Sequence, residues 1–232
     1  MHDLPDLMGT TIVFDLDGTL VDTAPDLAET LNALLTEQGL PVLDDDAVKR
    51  MVGAGAWALI QRGFAAAGHT LGQDRKDDLF TRFIALYEGR IAQLSRPYPG
   101  CLDALDALTA AGATLAVCTN KYSRGSDLLL HALGLSSRFK AITGPERAPA
   151  RKPDARHIAA AIAAAGGRID RAVMVGDSIT DFLAARATGV PVILVPFGYS
   201  DVPASTLAAN AFCETWETIP AACAQLLSPG RS

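Results

Sequence analysis

The stretch Thr11-Ile12-Val13-Phe14-Asp15-Leu16-Asp17-Gly18-Thr19-Leu20-Val21-Asp22-Thr23 decides the fold. Its first four residues are apolar or β-branched, the composition of a strand buried on both faces of a parallel sheet. The run stops at Asp15, and Gly18 permits a turn. Thr23 is a candidate helix cap with Pro25 in the first turn. Leu27, Leu31, Leu34 and Leu35 then give an apolar stripe at helical spacing. Gly39 ends that helix and Pro41 follows.

Outward from this stretch the chain falls into two textures. Up to about residue 95 everything reads as helix. Val48 and Met51 belong to a short one, and Gly53-Ala54-Gly55 interrupts. Trp57, Ile60 and Phe64 repeat at helical spacing, as do Leu79, Phe83, Leu86 and Tyr87. Arg96-Pro97-Tyr98-Pro99-Gly100 breaks the pattern. Beyond it, helices predicted over 102–111, 126–133, 154–165 and 179–188 alternate with strands near 114–118, 140–143, 172–175 and 191–195. A last helix closes the chain near 216–227. This alternation predicts an α/β protein: a doubly wound, Rossmann-like parallel-sheet core with a small α-helical cap inserted after the first strand. The expected division is residues 1–22 and 96–232 for the core and 23–95 for the cap.

The composition of the 232 residues sets limits on function. Hydrophobic residues make up 49%, enough for a packed core, but aromatics only 6%, so that core rests on Ala, Leu, Val and Ile. Twenty Lys and Arg against 26 Asp and Glu leave a formal charge of −6. An acidic chain without a basic run is a poor ligand for nucleic acid or for anionic membrane surfaces. The four cysteines lack the spacing of a zinc site, and Cys101 and Cys118 sit in apolar patterns as small core residues. No apolar run is long enough to span a bilayer, and the first residues do not resemble a signal peptide. The expectation is a cytoplasmic protein, monomeric or homodimeric.

In open parallel sheets ligands bind beyond the carboxyl ends of the strands. Three predicted strands end in polar residues: Asp15-Leu16-Asp17, Thr119-Asn120-Lys121, and Gly176-Asp177-Ser178 with Asp181 one turn on. Lys152 precedes a helix and adds a cation. Ionised carboxylates brought this close repel one another, and a divalent cation relieves them. An oxygen-only donor set selects a hard ion such as Mg²⁺. Four carboxylates against Lys152 and a divalent ion leave one negative charge, so the count favours one protonated carboxyl. Taken singly, an Asp at a strand end is an ordinary turn residue or cap, and Asp181 a solvated helix residue. His69 reads as a loop residue, and His131 and His157 as structural or solvated helix residues.

The segments Phe14–Thr23, Cys118-Thr119-Asn120-Lys121, Arg151-Lys152-Pro153-Asp154 and Val175-Gly176-Asp177-Ser178 with Asp181 resemble the haloacid dehalogenase-like phosphohydrolases, most closely their phosphoglycolate phosphatase group. The resemblance implies that Asp15 is the nucleophile and forms an aspartyl-phosphate. Asp17 would protonate the leaving alcohol and later activate water. Thr119, Asn120 and Lys152 would hold the phosphoryl oxygens. Mg²⁺ would lie against Asp15, the backbone carbonyl of Asp17, and Asp177, with Asp181 bound through water or orienting a ligand. Asp17 favours phosphate esters over dehalogenation, because an alkoxide leaving group needs a proton.

By the same resemblance, Met51–Ala56 is the cap's substrate-facing loop. Gly53, Ala54 and Gly55 are therefore specificity candidates, with Arg62 and Lys121 as readers of a substrate carboxylate and Tyr122 and Arg124 as alternatives to them. The sequence departs from the group's usual pattern at Tyr122, Gly144-Pro145-Glu146 and Ala155. The implied substrate is a small phosphate ester, 2-phosphoglycolate first. Sugar phosphates, nucleoside monophosphates and pyrophosphate are the nearer alternatives. A phosphomutase and a non-enzymatic phospho-aspartate module are the remoter ones.

Overall fold

The computed structural model describes residues 4–200 and 202–228. Strand β1 (Thr11–Phe14) is followed by a two-residue strand β2 (Val21–Asp22), and the chain then enters four helices: α1 (Ala24–Glu37), α2 (Asp45–Lys49), α3 (Ala56–Ala66) and α4 (Lys76–Glu88). It returns through β3 (Arg96–Pro97), which pairs antiparallel with β2, Asp22 opposite Arg96. The remainder alternates: α5 (Cys101–Ala110), β4 (Thr114–Cys118), α6 (Ser123–Ala132), β5 (Ala141–Thr143), α7 (Ala155–Ala164), β6 (Ala172–Gly176), α8 (Ile179–Thr188), β7 (Val192–Leu194), β8 (Ala211–Phe212) and α9 (Ile219–Leu227).

Six strands form one parallel sheet in the order β5-β4-β1-β6-β7-β8. Side chains alternate between its faces as the two-residue period of a strand requires. Ile12, Phe14, Leu115, Val117, Val173, Val175 and Ile193 enter a core shared with α5, α6 and α9, where Phe14 stacks on Trp216 at 5.7 Å. Val13, Cys118, Met174, Val192 and Leu194 face α7 and α8. The helical insert has its own apolar cluster of Leu27, Leu31, Leu34, Leu35, Ile60, Phe64 and Phe83. Among the described residues no helix is long and apolar enough to cross a membrane.

Three local expectations need correction. Strands β2, β3 and β8 carry no periodic signal, because two residues are too few to show one. Helix α6 begins at Ser123, not near residue 126. Thr23 occupies the N-cap position of α1, but its side chain makes no capping bond. The backbone N–H groups of Thr23 and Ala24 donate instead to the Tyr199 hydroxyl, at 2.6 and 2.9 Å.

Candidate active site

Because β1 lies between β4 and β6, the ends of all three strands converge. Asp15 leaves β1 with its backbone N–H donating to the Val175 carbonyl, and Leu16 N–H donates to its Oδ1 at 2.7 Å. Asp177 follows β6. Its Oδ1 accepts from the Thr19 hydroxyl at 2.9 Å and its Oδ2 from the Tyr199 N–H at 2.7 Å. Asp181 sits in the first turn of α8 in a capping box: its Oδ2 accepts from the Ser178 N–H and hydroxyl, at 3.0 and 2.6 Å. One carboxylate oxygen from each of Asp15, Asp177 and Asp181 lies within 4.8 Å of the other two.

Two glycines make this crowding possible. A Cβ on Gly198 would stand 2.2 Å from Asp177 Oδ2. One on Gly18, whose φ is +85°, would stand 2.7 Å from the same oxygen. Lys152, 2% exposed, is the cation of the cluster, with Nζ 2.9 Å from Asp15 and 2.6 Å from Asp181. Burial opposes its charge, but Asp15 and Asp181 outweigh that and hold the ammonium above its ordinary range. The carboxylates carry the reverse burden. Burial, with Asp181 and Asp177 adding and Lys152 opposing, pushes Asp15 up to about 8. Burial and then Asp181 push Asp177 up to about 7. Three buried carboxylates sharing one ammonium lack positive charge. Their all-oxygen donor set fits a hard divalent cation, which would return both groups to the ionised form.

His157 holds the Lys152 loop. Its Nδ1 accepts from the Lys152 N–H at 3.0 Å and its Nε2 faces the Thr143 carbonyl at 3.2 Å. This fixes a neutral tautomer, and burial followed by the Lys152 charge lowers the ring to about 4. Asn120 ties the same loop, its side-chain NH₂ donating to the Lys152 carbonyl at 3.0 Å. Thr119, 1% exposed, accepts the Lys121 N–H on its hydroxyl at 3.1 Å.

Asp17 stands apart from the three-carboxylate cluster. Its Oδ1 and Oδ2 accept from Lys121 Nζ at 3.2 and 3.4 Å, and that ammonium lies 4.3 Å from the centre of the Tyr87 ring on α4. Lys121 is buried. Burial opposes its charge, and Asp17 leads the groups that hold it raised. This corrects the charge count made from sequence, which omitted Lys121. Four carboxylates, two ammonium groups and one divalent ion sum to zero, so neutrality alone demands no protonated carboxyl.

A cavity opens above Asp15, Asp17, Thr119, Asn120, Lys121 and Tyr122, and the insert closes it with Leu27, Val52, Leu59, Phe83 and Tyr87, the loop residues Gly53 and Gly55, and Ala56 at the start of α3. Among the described residues Lys121 is the only cation in this lining. Ala54 and Arg62 are not part of it. Arg62 is exposed and its Nη1 donates to the Met51 carbonyl at 3.0 Å, so the expectation that it faces the substrate is not met. Insert and core also meet at Glu88, which accepts from Arg124 Nε at 2.9 Å and from the Tyr122 hydroxyl at 3.4 Å. Sequence reasoning missed Tyr87 and Tyr199. Tyr87 carried only a helix-core signal and Tyr199 none.

The profile of the haloacid dehalogenase-like hydrolases matches residues 12–195. Among curated relatives, a phosphoglycolate phosphatase of Caulobacter vibrioides is 52% identical over 228 residues, covering 98% of this chain and 96% of that protein. One from Agrobacterium fabrum is 47% identical and covers 94% of each. Among solved structures, a predicted phosphoglycolate phosphatase of Haemophilus somnus superposes with a TM-score of 0.84 at 30% identity, covering 92% of this chain and 96% of that one. The chain belongs to the haloacid dehalogenase-like hydrolases.

Proposed function

We propose that this haloacid dehalogenase-like hydrolase is a Mg²⁺-dependent phosphatase of small phosphate monoesters, with 2-phosphoglycolate as its substrate. The observation that carries the reading is the pair Asp15 and Asp17 at the end of β1. The two carboxylates, two residues apart in the chain, have different partners, Lys152 for the first and Lys121 for the second. The names of the relatives at 52% and 47% identity support the choice of ester.

A carboxylate oxygen of Asp15 attacks phosphorus, and the bond from phosphorus to the ester oxygen breaks. Asp17 delivers its proton to the departing alkoxide, giving glycolate. Water then attacks the phosphorus of the aspartyl-phosphate, and Asp17 takes up the proton it loses. Phosphate leaves and Asp15 is restored, so one ester and one water become one alcohol and one phosphate. Lys152, Thr119 and Asn120 hold the phosphoryl oxygens as charge spreads over them. Asp15, Asp177 and the Asp17 carbonyl, with Asp181 beside them, would hold Mg²⁺, which would supply positive charge at the phosphoryl group. Residues 23–95 act as a cap on the core of 1–22 and 96–232. Within the cavity, Lys121 takes the substrate carboxylate, and Gly53 and Gly55 set the room around it.

The test is phosphate release from 2-phosphoglycolate, sugar phosphates, nucleoside monophosphates and pyrophosphate, with Mg²⁺ and with EDTA. The expected profile is Mg²⁺-dependent and dominated by 2-phosphoglycolate. Asp15→Asn is expected to abolish turnover with the fold intact. A flat profile refutes the ester, and near-wild-type activity of Asp15→Asn refutes the nucleophile.

A further inference from the structure

One short segment touches both the carboxylate cluster and both crossings between core and cap. Phe197-Gly198-Tyr199 follows β7. The Tyr199 N–H donates to Asp177 Oδ2 at 2.7 Å, and Gly198 packs so closely on Asp177 that a Cβ would stand 2.3 Å from that residue's own Cβ. The Tyr199 hydroxyl donates to Asp22 Oδ1 at 2.6 Å and accepts the N–H groups of Thr23 and Ala24. It thus does the capping work at α1 that the Thr23 side chain leaves undone. The returning crossing is tied to the same segment, because the Tyr98 hydroxyl donates to the Phe197 carbonyl at 3.3 Å and the two rings lie 4.6 Å apart. Helix α1 carries Leu27 into the cavity roof within one turn of this cap.

We propose that Tyr199 is a positioning residue that makes the set of Asp177 and the set of the cap one arrangement. Its backbone fixes the metal-site carboxylate and its hydroxyl fixes the start of α1. Tyr199 is 4% exposed, so both contacts are shielded from water. Burial first, then Tyr98 and Asp22, raise its phenol far above the ordinary value, which keeps the hydroxyl a donor. A cation drawn to Asp177 pulls on a carboxylate that already holds the Tyr199 N–H, and the rigid ring carries that restraint to Asp22 and the first turn of α1. Coupling of this kind is reciprocal: if metal orders the hinge, severing the hinge contact weakens metal binding by the same factor. The inference rests on the metal assignment within the proposed function and not on the choice of ester.

The test uses Tyr199→Phe in the full chain, which removes the hydroxyl and keeps both the ring and the backbone N–H. Mg²⁺ binding is measured by calorimetry, and amide exchange over residues 22–28 is followed with and without saturating Mg²⁺. In the wild type, Mg²⁺ is expected to slow exchange in that segment. In Tyr199→Phe the slowing is expected to be lost, and Mg²⁺ affinity to fall about fivefold or more, the usual scale of such coupling. Should Tyr199→Phe not fold, Asp22→Ala removes the hydroxyl's acceptor at a half-buried position and is expected to give the same pair of effects. Equal Mg²⁺-induced protection in wild type and variant would overturn the proposal, as would a wild type whose residues 22–28 ignore Mg²⁺. Neither readout involves turnover. A protein that shows the coupling but does not hydrolyse 2-phosphoglycolate refutes the ester alone, whereas one that hydrolyses it without the coupling refutes the role of Tyr199 alone.

Discussion

Lys121→Met tests the reading of the substrate carboxylate. The side chain is 5% exposed, so its charge acts almost without solvent screening, and its partner Asp17 is 15% exposed. Methionine keeps the stem that crosses Tyr87 and deletes only the charge. Truncating one partner of a buried charge pair costs about 2–5 kcal/mol. Asp17 already shares this ammonium, which places the substrate's portion toward the lower end. About 2–3.5 kcal/mol corresponds to a loss of about 30- to 300-fold in kcat/KM. The substitution also disturbs Asp17, so 2-phosphoglycolate alone cannot isolate the contact. The assay therefore compares it with 2-hydroxyethyl phosphate, which carries a hydroxymethyl group where the substrate has its carboxylate. In the proposed mechanism both esters need the Asp17 proton, so that effect cancels in the ratio of their kcat/KM values. The ratio is expected to fall about 30- to 300-fold in Lys121→Met. A ratio within about threefold of the wild type, less than 1 kcal/mol, refutes the assignment of Lys121.

Three further outcomes are expected. Arg62→Ala should change kcat/KM for 2-phosphoglycolate by no more than about twofold, the ordinary scale of an exposed substitution, since Arg62 lies outside the cavity lining; steady-state kinetics check this. Gly198→Ala forces a methyl group against Asp177, which Thr19 and Tyr199 hold in place, and should cost about 1–3 kcal/mol in urea unfolding and weaken Mg²⁺ binding in calorimetry. His157, lowered to about 4 from an ordinary 6.5, should contribute stability that is complete above pH 6.5 and is lost as pH falls toward 4, because the unfolded chain takes up the proton first. Relative to His157→Asn, the wild type should lose about 1–2 kcal/mol between pH 7 and pH 5 in urea unfolding.

The parallel sheet was legible because its strands are apolar runs that stop at Asp15, Thr119 and Asp177, and because Gly112, Gly134, Gly166 and Gly189 end the helices before them. The carboxylate cluster was legible for the same reason: neighbouring parallel strands bring their ends together whatever lies between them in the chain. What the sequence did not show are contacts made by side chains with no pattern of their own. Lys121 meets Asp17 across 104 positions, and Tyr199 meets Asp22 across 177. Tyr87 has the spacing of an ordinary helix-core residue and does pack with the insert's apolar cluster, yet its ring also backs the Lys121 ammonium. Arg62 shows the converse. A cation on the helix that follows the glycine loop invited a binding role, and its guanidinium turns back to the Met51 carbonyl.

Asp15 and Asp17 are two residues apart, yet the chain gives them separate surroundings. An uninterrupted strand would have kept them on one side as near equivalents. The strand ends at Phe14 instead, and Asp17 takes up an isolated bridge with Val21 as the chain turns. Asp15 is thereby left among Asp177, Asp181 and Lys152, in the direction of the sheet's β6 side. Asp17 is directed to Lys121, at the end of β4. A nucleophile must be ionised and held still, while an acid–base group must exchange a proton during each cycle. One carboxylate environment cannot serve both needs. The two lysines mark the separation: Lys152 stays with the carboxylates that a cation would join, and Lys121 stays with the one carboxylate that lies outside their cluster, under the roof of the insert. If that division is functional, exchanging the charges should not be tolerated. Lys152→Met should be far more damaging to phosphoryl transfer from every ester than Lys121→Met, whose harm should concentrate on esters bearing a carboxylate. Equal losses across all esters for both substitutions would show that the two lysines serve a single site charge.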